Sequence, residues 1–166
     1  MVTGYDAAIA YTDHHVQMIL DELRDQGVYD DSAIIVSADH GDNFGEHGIY
    51  SDHVCADEAI HNVPLIMKWP DRAMAGHAVD AKLYNIDLSA TLCELTGGEA
   101  PDHYDGMSFA DALGGGEIEE RECLVWGHGL YTLQRAVRTD QHLMIRTYDD
   151  YGYRFDDVEL YDMKVD

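Results

Sequence analysis

Basic residues are scarce in this chain. Lysine and arginine together number 10 of 166 residues, against 33 aspartates and glutamates, for a formal net charge of −23. The lysines are Lys68, Lys82 and Lys164 alone. A surface so poor in positive charge repels phosphate backbones, which excludes nucleic acid as a partner. Cysteine is sparse as well. Cys55, Cys93 and Cys123 are widely spaced, with no CxxC pair and no zinc-knuckle pattern. Long apolar runs are absent, and none approaches the ~20 residues that a membrane span needs. The opening Met1-Val2-Thr3-Gly4-Tyr5-Asp6 has neither a basic n-region nor an apolar h-region, so no secretory signal is read there. These absences lead to the expectation of a cytoplasmic protein without a membrane partner. The acid is spread along the whole length. That pattern reads as adaptation to a high-salt cytoplasm, where screening relieves self-repulsion.

What the chain does hold is enough apolar material, 46% of residues, for one ordinary domain with a core. Tyr5, Ile9, Val16, Ile19, Leu20 and Leu23 recur at helical spacing and predict an amphipathic helix from Tyr5 to Gln26. Thr3 with Asp6 resembles a capping box, and Gly27 is a natural stop. Ala33-Ile34-Ile35-Val36 predicts a buried strand running to Ser37. Asp42 to Glu58 reads as a long loop with a short helix at its end, and long ordered loops in α/β domains are often functional. Val63 to Met67 predicts a second strand, and a weaker extended piece surrounds Val79. Ile86 to Leu95 reads as a helix started by Asn85 or Asp87, with Cys93 in its core face, and Gly97-Gly98 ends it. Ser108 with Asp111 caps a short helix through Leu113. Cys123 to Trp126, Ala136 to Arg138, His142 to Tyr148 and Val158 to Tyr161 predict further strands. Helix and strand alternate, so the class is α/β.

The chemistry concentrates at Ser37-Ala38-Asp39-His40-Gly41-Asp42. A strand end turns its backbone, so adjacent Asp39 and His40 can face one ion, and Gly41 eases the turn. A hard oxygen beside a borderline nitrogen suits manganese, zinc or iron better than an all-oxygen calcium site, although calcium stays open. The same residues also fit a plain turn with a helix-capping aspartate. His53, beside Asp52, is the next candidate: an imidazole there can stabilise a transferred group or protonate a leaving oxygen. His47 is ambiguous. His14 and His15 read as surface residues or partners of nearby carboxylates, and His61 as a surface or capping residue. His128, between Gly127 and Gly129, marks an exposed tip or a close backbone approach. Arg138 and Arg146 read as ion-pair partners in so acidic a chain, and Asp87 as a helix N-cap.

Taken in order, these segments resemble the C-terminal part of a sulfatase of the alkaline phosphatase superfamily. The resemblance is carried by the helix around Ala10-Tyr11-Thr12-Asp13, then Ser37 to Asp42 and Gly45-Glu46-His47-Gly48. It continues through Asp57-Glu58, Val63-Pro64-Leu65-Ile66, Asp87 to Leu95, Asp105-Gly106-Met107-Ser108, Arg138-Thr139-Asp140 and Glu159-Leu160-Tyr161-Asp162. It implies an alkaline phosphatase-like three-layer α/β/α sandwich, incomplete at the N-terminus, with small C-terminal β elements. Residues 1–166 would be the C-terminal portion, with 123–166 as a small strand-rich subregion. It also implies that Asp39 and His40 bind a divalent metal ion: calcium, manganese or zinc. Many arylsulfatases carry Asp-Asn there. The Asp-His form is similar to phosphonate monoester hydrolases, phosphodiesterases and phosphoethanolamine transferases. His53 falls where sulfatases commonly carry a sulfate-contacting lysine.

The sequence departs from the family in one respect. It contains no C/S-x-P-x-R motif, whose Cys or Ser becomes the formylglycine nucleophile, and no early aspartate pair. The expected function is therefore the C-terminal part of a sulfate ester hydrolase that is inactive alone, with a separately encoded N-terminal half as a possible partner. The alternatives are hydrolysis of phosphodiesters or phosphonate monoesters, and a non-catalytic metal- or partner-binding remnant. Missing early strands would expose sheet edge and apolar surface.

Overall fold

The computed structural model describes residues 2–165. Helix α1 (Val2–Asp25) begins before Thr3, so Thr3 lies inside the first turn and not at a capping position. Gly27 ends it with φ +70, and Val28 N–H donates to the Leu23 carbonyl at 3.0 Å, which closes the last turn. Strand β1 (Ile34–Ser37) follows. The hairpin strands β2 (Asn43–Phe44) and β3 (Tyr50–Asp52) flank a single 3₁₀ turn at Glu46–Gly48. The short α2 (Glu58–His61) leads to β4 (Leu65–Lys68). Helices α3 (Asn85–Leu95) and α4 (Ala110–Leu113) come next. The chain closes with β5 (Leu124–His128), β6 (Leu133–Arg138), β7 (His142–Asp149) and β8 (Val158–Asp162). The residues around Val79 form no strand.

The last four strands make one antiparallel sheet in sequence order. Its inward face is set by period-2 alternation: Leu143, Ile145 and Thr147 on β7 are buried while their neighbours are exposed. Ala136, Leu143 and Ile145 pack with Ala56, joined by Trp126 and Tyr161. Buried polar side chains fasten this sheet to the loop that leads into α2. Thr132 Oγ1 donates to the Val54 carbonyl at 2.7 Å, and Ala56 N–H donates to Gln134 Oε1 at 2.7 Å. Gln134 Nε2 in turn donates to Thr147 Oγ1 at 3.0 Å, so the buried amide is satisfied at both ends.

A second small sheet pairs β1 with β4, antiparallel, from Ile34↔Lys68 to Ser37↔Leu65. Lys68 Nζ donates to the carbonyls of Asp30 and Ser32, both at 2.9 Å, and so pins the turn that enters β1. Met67 of β4 joins the apolar cluster under α3 and α4, with Leu83, Leu88, Phe109 and Leu113. The expectation of a buried β1 is corrected here: Ile34 and Ile35 are half-buried, and Val36 is exposed. The physical reason is the lack of cover. Among the described residues β1 has a neighbour on one edge only, and the groove between it and α1, about 440 Å³, is open. Ile19 on α1 and Ile66 on β4 are 63% and 64% exposed. An apolar strand is buried only where other elements pack against it.

Asp87 is not an N-cap but the third residue of α3. Tyr84 N–H donates to its carboxylate at 2.7 Å, and Met107 N–H donates at 2.8 Å. Arg121 reaches it with two guanidinium contacts of 2.7 Å, and the carboxylate is fully buried. Burial opposes its ionisation, but the Arg121 hydrogen bonds and the two amides outweigh that and hold it below the ordinary carboxylate range. Among the described residues no helix is long and apolar enough to cross a membrane.

Candidate metal centre

The chain leaves β1 at Ser37 and enters a tight corner. Gly41 N–H donates to the Ile60 carbonyl at 2.7 Å, clamping the corner onto α2. A Cβ at Gly41 would lie 2.1 Å from the Ala59 carbonyl oxygen, so glycine is demanded by close approach and not by a left-handed turn. The clamp turns His40 toward His53, which leaves β3. Their rings stack, with centres 4.1 Å apart and planes 30° apart. His40 Nδ1 lies 2.9 Å from the Gly41 carbonyl, which fixes its ring. Asp42 approaches from the same corner, with its Oδ1 3.5 Å from His53 Nδ1. Tyr5 of α1 donates its phenol to Asp42 Oδ2 at 3.4 Å.

Ligand atoms of His40, Asp42 and His53 lie within 4.8 Å of one another. Two imidazole nitrogens and a carboxylate oxygen are the donors that manganese and zinc take; calcium wants more oxygen. The donor set thus fits a divalent cation of the borderline kind. Asp39 stands outside this group. Its side chain is 91% exposed, and its Oδ2 is 3.9 Å from His40 Nε2. Its own amide and that of His40 hold its carboxyl below the usual range. Asp42 was legible only as part of the Asp39–Asp42 motif; nothing in its spacing marked it out.

The other candidates go elsewhere. His47, at φ +52 in the 3₁₀ turn, places Nε2 3.2 Å from Asp57 and Nδ1 3.7 Å from Glu159. The Asp57 hydrogen bond raises the His47 pKa above its ordinary 6.5. Burial works against the Asp57 carboxylate, yet His47, the Ala59 amide and Asn43 together keep its pKa below 3.8. The pair therefore stabilises the fold fully only between about pH 4 and pH 6.5. It loses strength above that window as His47 gives up its proton, and below it as Asp57 gains one. In urea unfolding, His47→Gln should cost about 1–2 kcal/mol at pH 6 and clearly less at pH 9. An equal cost at both values would remove the charged pair from the account.

Cys55 is buried, donates to Asn43 Oδ1 at 3.6 Å, and has its thiol pushed up to about 12 by burial, so it is an inert core residue. His14 and His15 are exposed on α1 with their rings edge to face, and His15 bonds the Tyr11 carbonyl. Arg138 faces Glu58 at 3.5 Å, and Arg146 lies over Tyr148. His61 is not a surface residue, nor His128 an exposed tip: the Nε2 atoms of both are buried.

The sulfatase family model matches residues 1–98. The chain belongs to the sulfatase family, and its fold is alkaline phosphatase-like, present at partial length. It is 28% identical over 169 residues to an N-acetylglucosamine-6-O-sulfatase of Bacteroides thetaiotaomicron, spanning 98% of this chain and 30% of that protein. A structure solved in complex with its substrate, D-glucosamine-2-N,6-O-disulfate, superposes with a TM-score of 0.83 at 26% identity, covering 94% of this chain and 32% of that one. A phosphonate monoester hydrolase from Silicibacter pomeroyi shares the fold at a TM-score of 0.74 and 24% identity, over 92% of this chain and 33% of that one. The chain thus spans about a third of the length of the relatives it matches. The haloarchaeal source that so acidic a composition suggests finds no support among these relatives.

Proposed function

We propose that this chain is the C-terminal portion of a metal-dependent sulfate ester hydrolase, with residues 123–166 as its strand-rich subregion. The observation that carries the reading is the convergence of His40, Asp42 and His53 at the end of β1 in a sulfatase-family chain. Of these, His40 and Asp42 would hold a divalent ion together with Asp39, whose exposed carboxylate turns inward to join them, leaving His53 beside the ion. When bound, the ion supplies positive charge against the oxygens of the transferred group. His53, with Nδ1 held by Asp42, keeps Nε2 for a substrate oxygen, either to steady the transferred group or to protonate the leaving oxygen.

The nucleophile must come from elsewhere, since no C/S-x-P-x-R motif occurs in these 166 residues. The open groove beside α1 and the free edge of β1 are where a complementing N-terminal portion would pack. The phosphonate monoester hydrolase neighbour keeps a phosphorus ester as the second reading at the level of fold. The charge of −23 supports a high-salt cytoplasm.

Titration of the chain with manganese or zinc tests the metal half of the reading. Asp42→Asn with His40→Gln should weaken binding at least tenfold. Co-expression with the nucleophile-bearing portion of a sulfatase should release sulfate from an aryl sulfate where neither part does alone. Preferred release of phosphate would favour the second reading. Absence of both metal affinity and joint activity would leave a non-catalytic remnant.

A further inference from the structure

Two imidazoles beside the candidate centre stand with a nitrogen unused. His61 ends α2 and His128 ends β5. Their Nε2 atoms are buried, and neither meets a donor or an acceptor. Leaving a buried polar atom unpaired is costly, and two such atoms on neighbouring rings call for a shared guest.

The surroundings narrow what that guest is. The rings are 6.2 Å apart, with planes at 81°. Two imidazoles that share one zinc-sized ion through nitrogens ~2 Å from it have ring centres roughly 5–6 Å apart. At 6.2 Å the rings stand somewhat wider than that, so a modest side-chain rotation is needed to bring both nitrogens onto one ion. Both rings are backed by rigid structure. His61 lies on Trp126 at 5.4 Å, and the Trp126 indole N–H donates to the Ala56 carbonyl at 3.0 Å. His128 sits in register with Gln134 of β6.

A neutral imidazole carries its proton on one ring nitrogen and a lone pair on the other, and the tautomer with the lone pair on Nε2 is the one that ligates through that atom. Burial lowers both pKa values, that of His61 to about 4, so both rings are neutral near pH 7, the form that ligates metals. Asp57 and His40 also influence His61, and His53 influences His128. Neutral imidazole nitrogen selects zinc, nickel or copper over magnesium or calcium.

We propose that His61 and His128 hold, through their Nε2 atoms, a second divalent cation of the zinc, nickel or copper class. Water or a substrate oxygen fills its remaining positions. Neither histidine belongs to the His40–Asp42–His53 group, so the two sites separate by mutation. The inference does not depend on the sulfatase reading and survives if no activity is found.

The test uses the untagged 166-residue chain, stripped of metal, with zinc as the probe. Bound zinc is counted by elemental mass spectrometry after gel filtration, and cobalt absorption in the visible range gives a second readout. His61→Gln and His128→Gln should each remove one zinc per chain or weaken that binding at least tenfold. Asp42→Asn should leave that zinc in place. Unchanged zinc content and cobalt spectrum in both histidine variants would overturn the proposal, as would loss of all bound zinc in Asp42→Asn. Circular dichroism in chelator confirms that each variant folds. If His61→Gln does not, His128→Gln at the strand end decides the matter alone.

Discussion

Asp87→Ala is expected to lower the unfolding free energy by about 3–5 kcal/mol, the usual cost of stripping one partner from a buried ion pair. The carboxylate is fully buried, and Arg121, itself 15% exposed, would be left with no counter-charge. Two amides would also lose their acceptor, Tyr84 at the start of α3 and Met107 in the turn before α4. The change therefore loosens three segments at once, and the Leu88–Phe109–Leu113 cluster packs on all of them. Asp87→Asn should cost less, because one side-chain oxygen still accepts from an amide. Urea denaturation of the three proteins checks the order. A loss under 1 kcal/mol in Asp87→Ala would mean that the pair is solvated in solution and holds little together. Replacing Asp87 and Arg121 together by leucine and methionine should recover part of the loss, since no lone charge then remains buried.

Raising potassium chloride from 0.1 M to 2 M should lift the thermal midpoint by on the order of 10 °C, a stabilisation of about 3 kcal/mol for a chain of this size. The physical source is self-repulsion from 33 acidic side chains that face only 10 basic ones. At 0.1 M salt the screening length is about 10 Å, and most surface carboxylates then feel several neighbours; beyond 1 M it falls to about 3 Å, and that repulsion is gone. Some of the basic residues are already committed. Lys82 pairs with Asp140, Arg24 with Asp21 and Arg138 with Glu58. Sodium chloride at equal concentration should act alike if screening is the cause. A flat midpoint over this range would sink both the repulsion argument and the high-salt setting.

The parts of the fold that were legible in the sequence are those whose periodicity is long enough to read. α1, α3 and the β6–β7 pair, with its Thr139–Gln141 turn, follow directly from spacing. The β2–β3 hairpin was hidden because two or three residues per strand carry no period. The stretch around Val79 reads as extended but finds no partner strand, and extension without pairing is not a sheet. β1 was misread as buried, because burial belongs to the elements around a strand rather than to its own residues.

The site divides in a similar way. His40 and His53 were marked by the motif and its loop, and the structure stacks them. Asp42 was hidden inside the same motif, because the direction of a side chain at a loop corner is decided by the Gly41–Ile60 clamp, a contact nineteen positions away. His61 and His128 could not be read as neighbours at all. They meet only because α2 and the end of β5 share the Trp126 wall.

Helix α1 reaches the candidate centre through Tyr5. Tyr5 places its ring against Phe44 at 4.4 Å and its hydroxyl on Asp42, while most of the helix stands in solvent. Few buried contacts anchor such an element, so its amides should exchange with solvent far faster than those of β6 and β7. Each opening of the helix strips Asp42 of its phenol donor. Local opening of α1 is thus expected to release Asp42 from that donor more often than global unfolding does. A polypeptide that filled the groove beside β1 would slow that opening and lengthen the time over which Asp42 stays aligned.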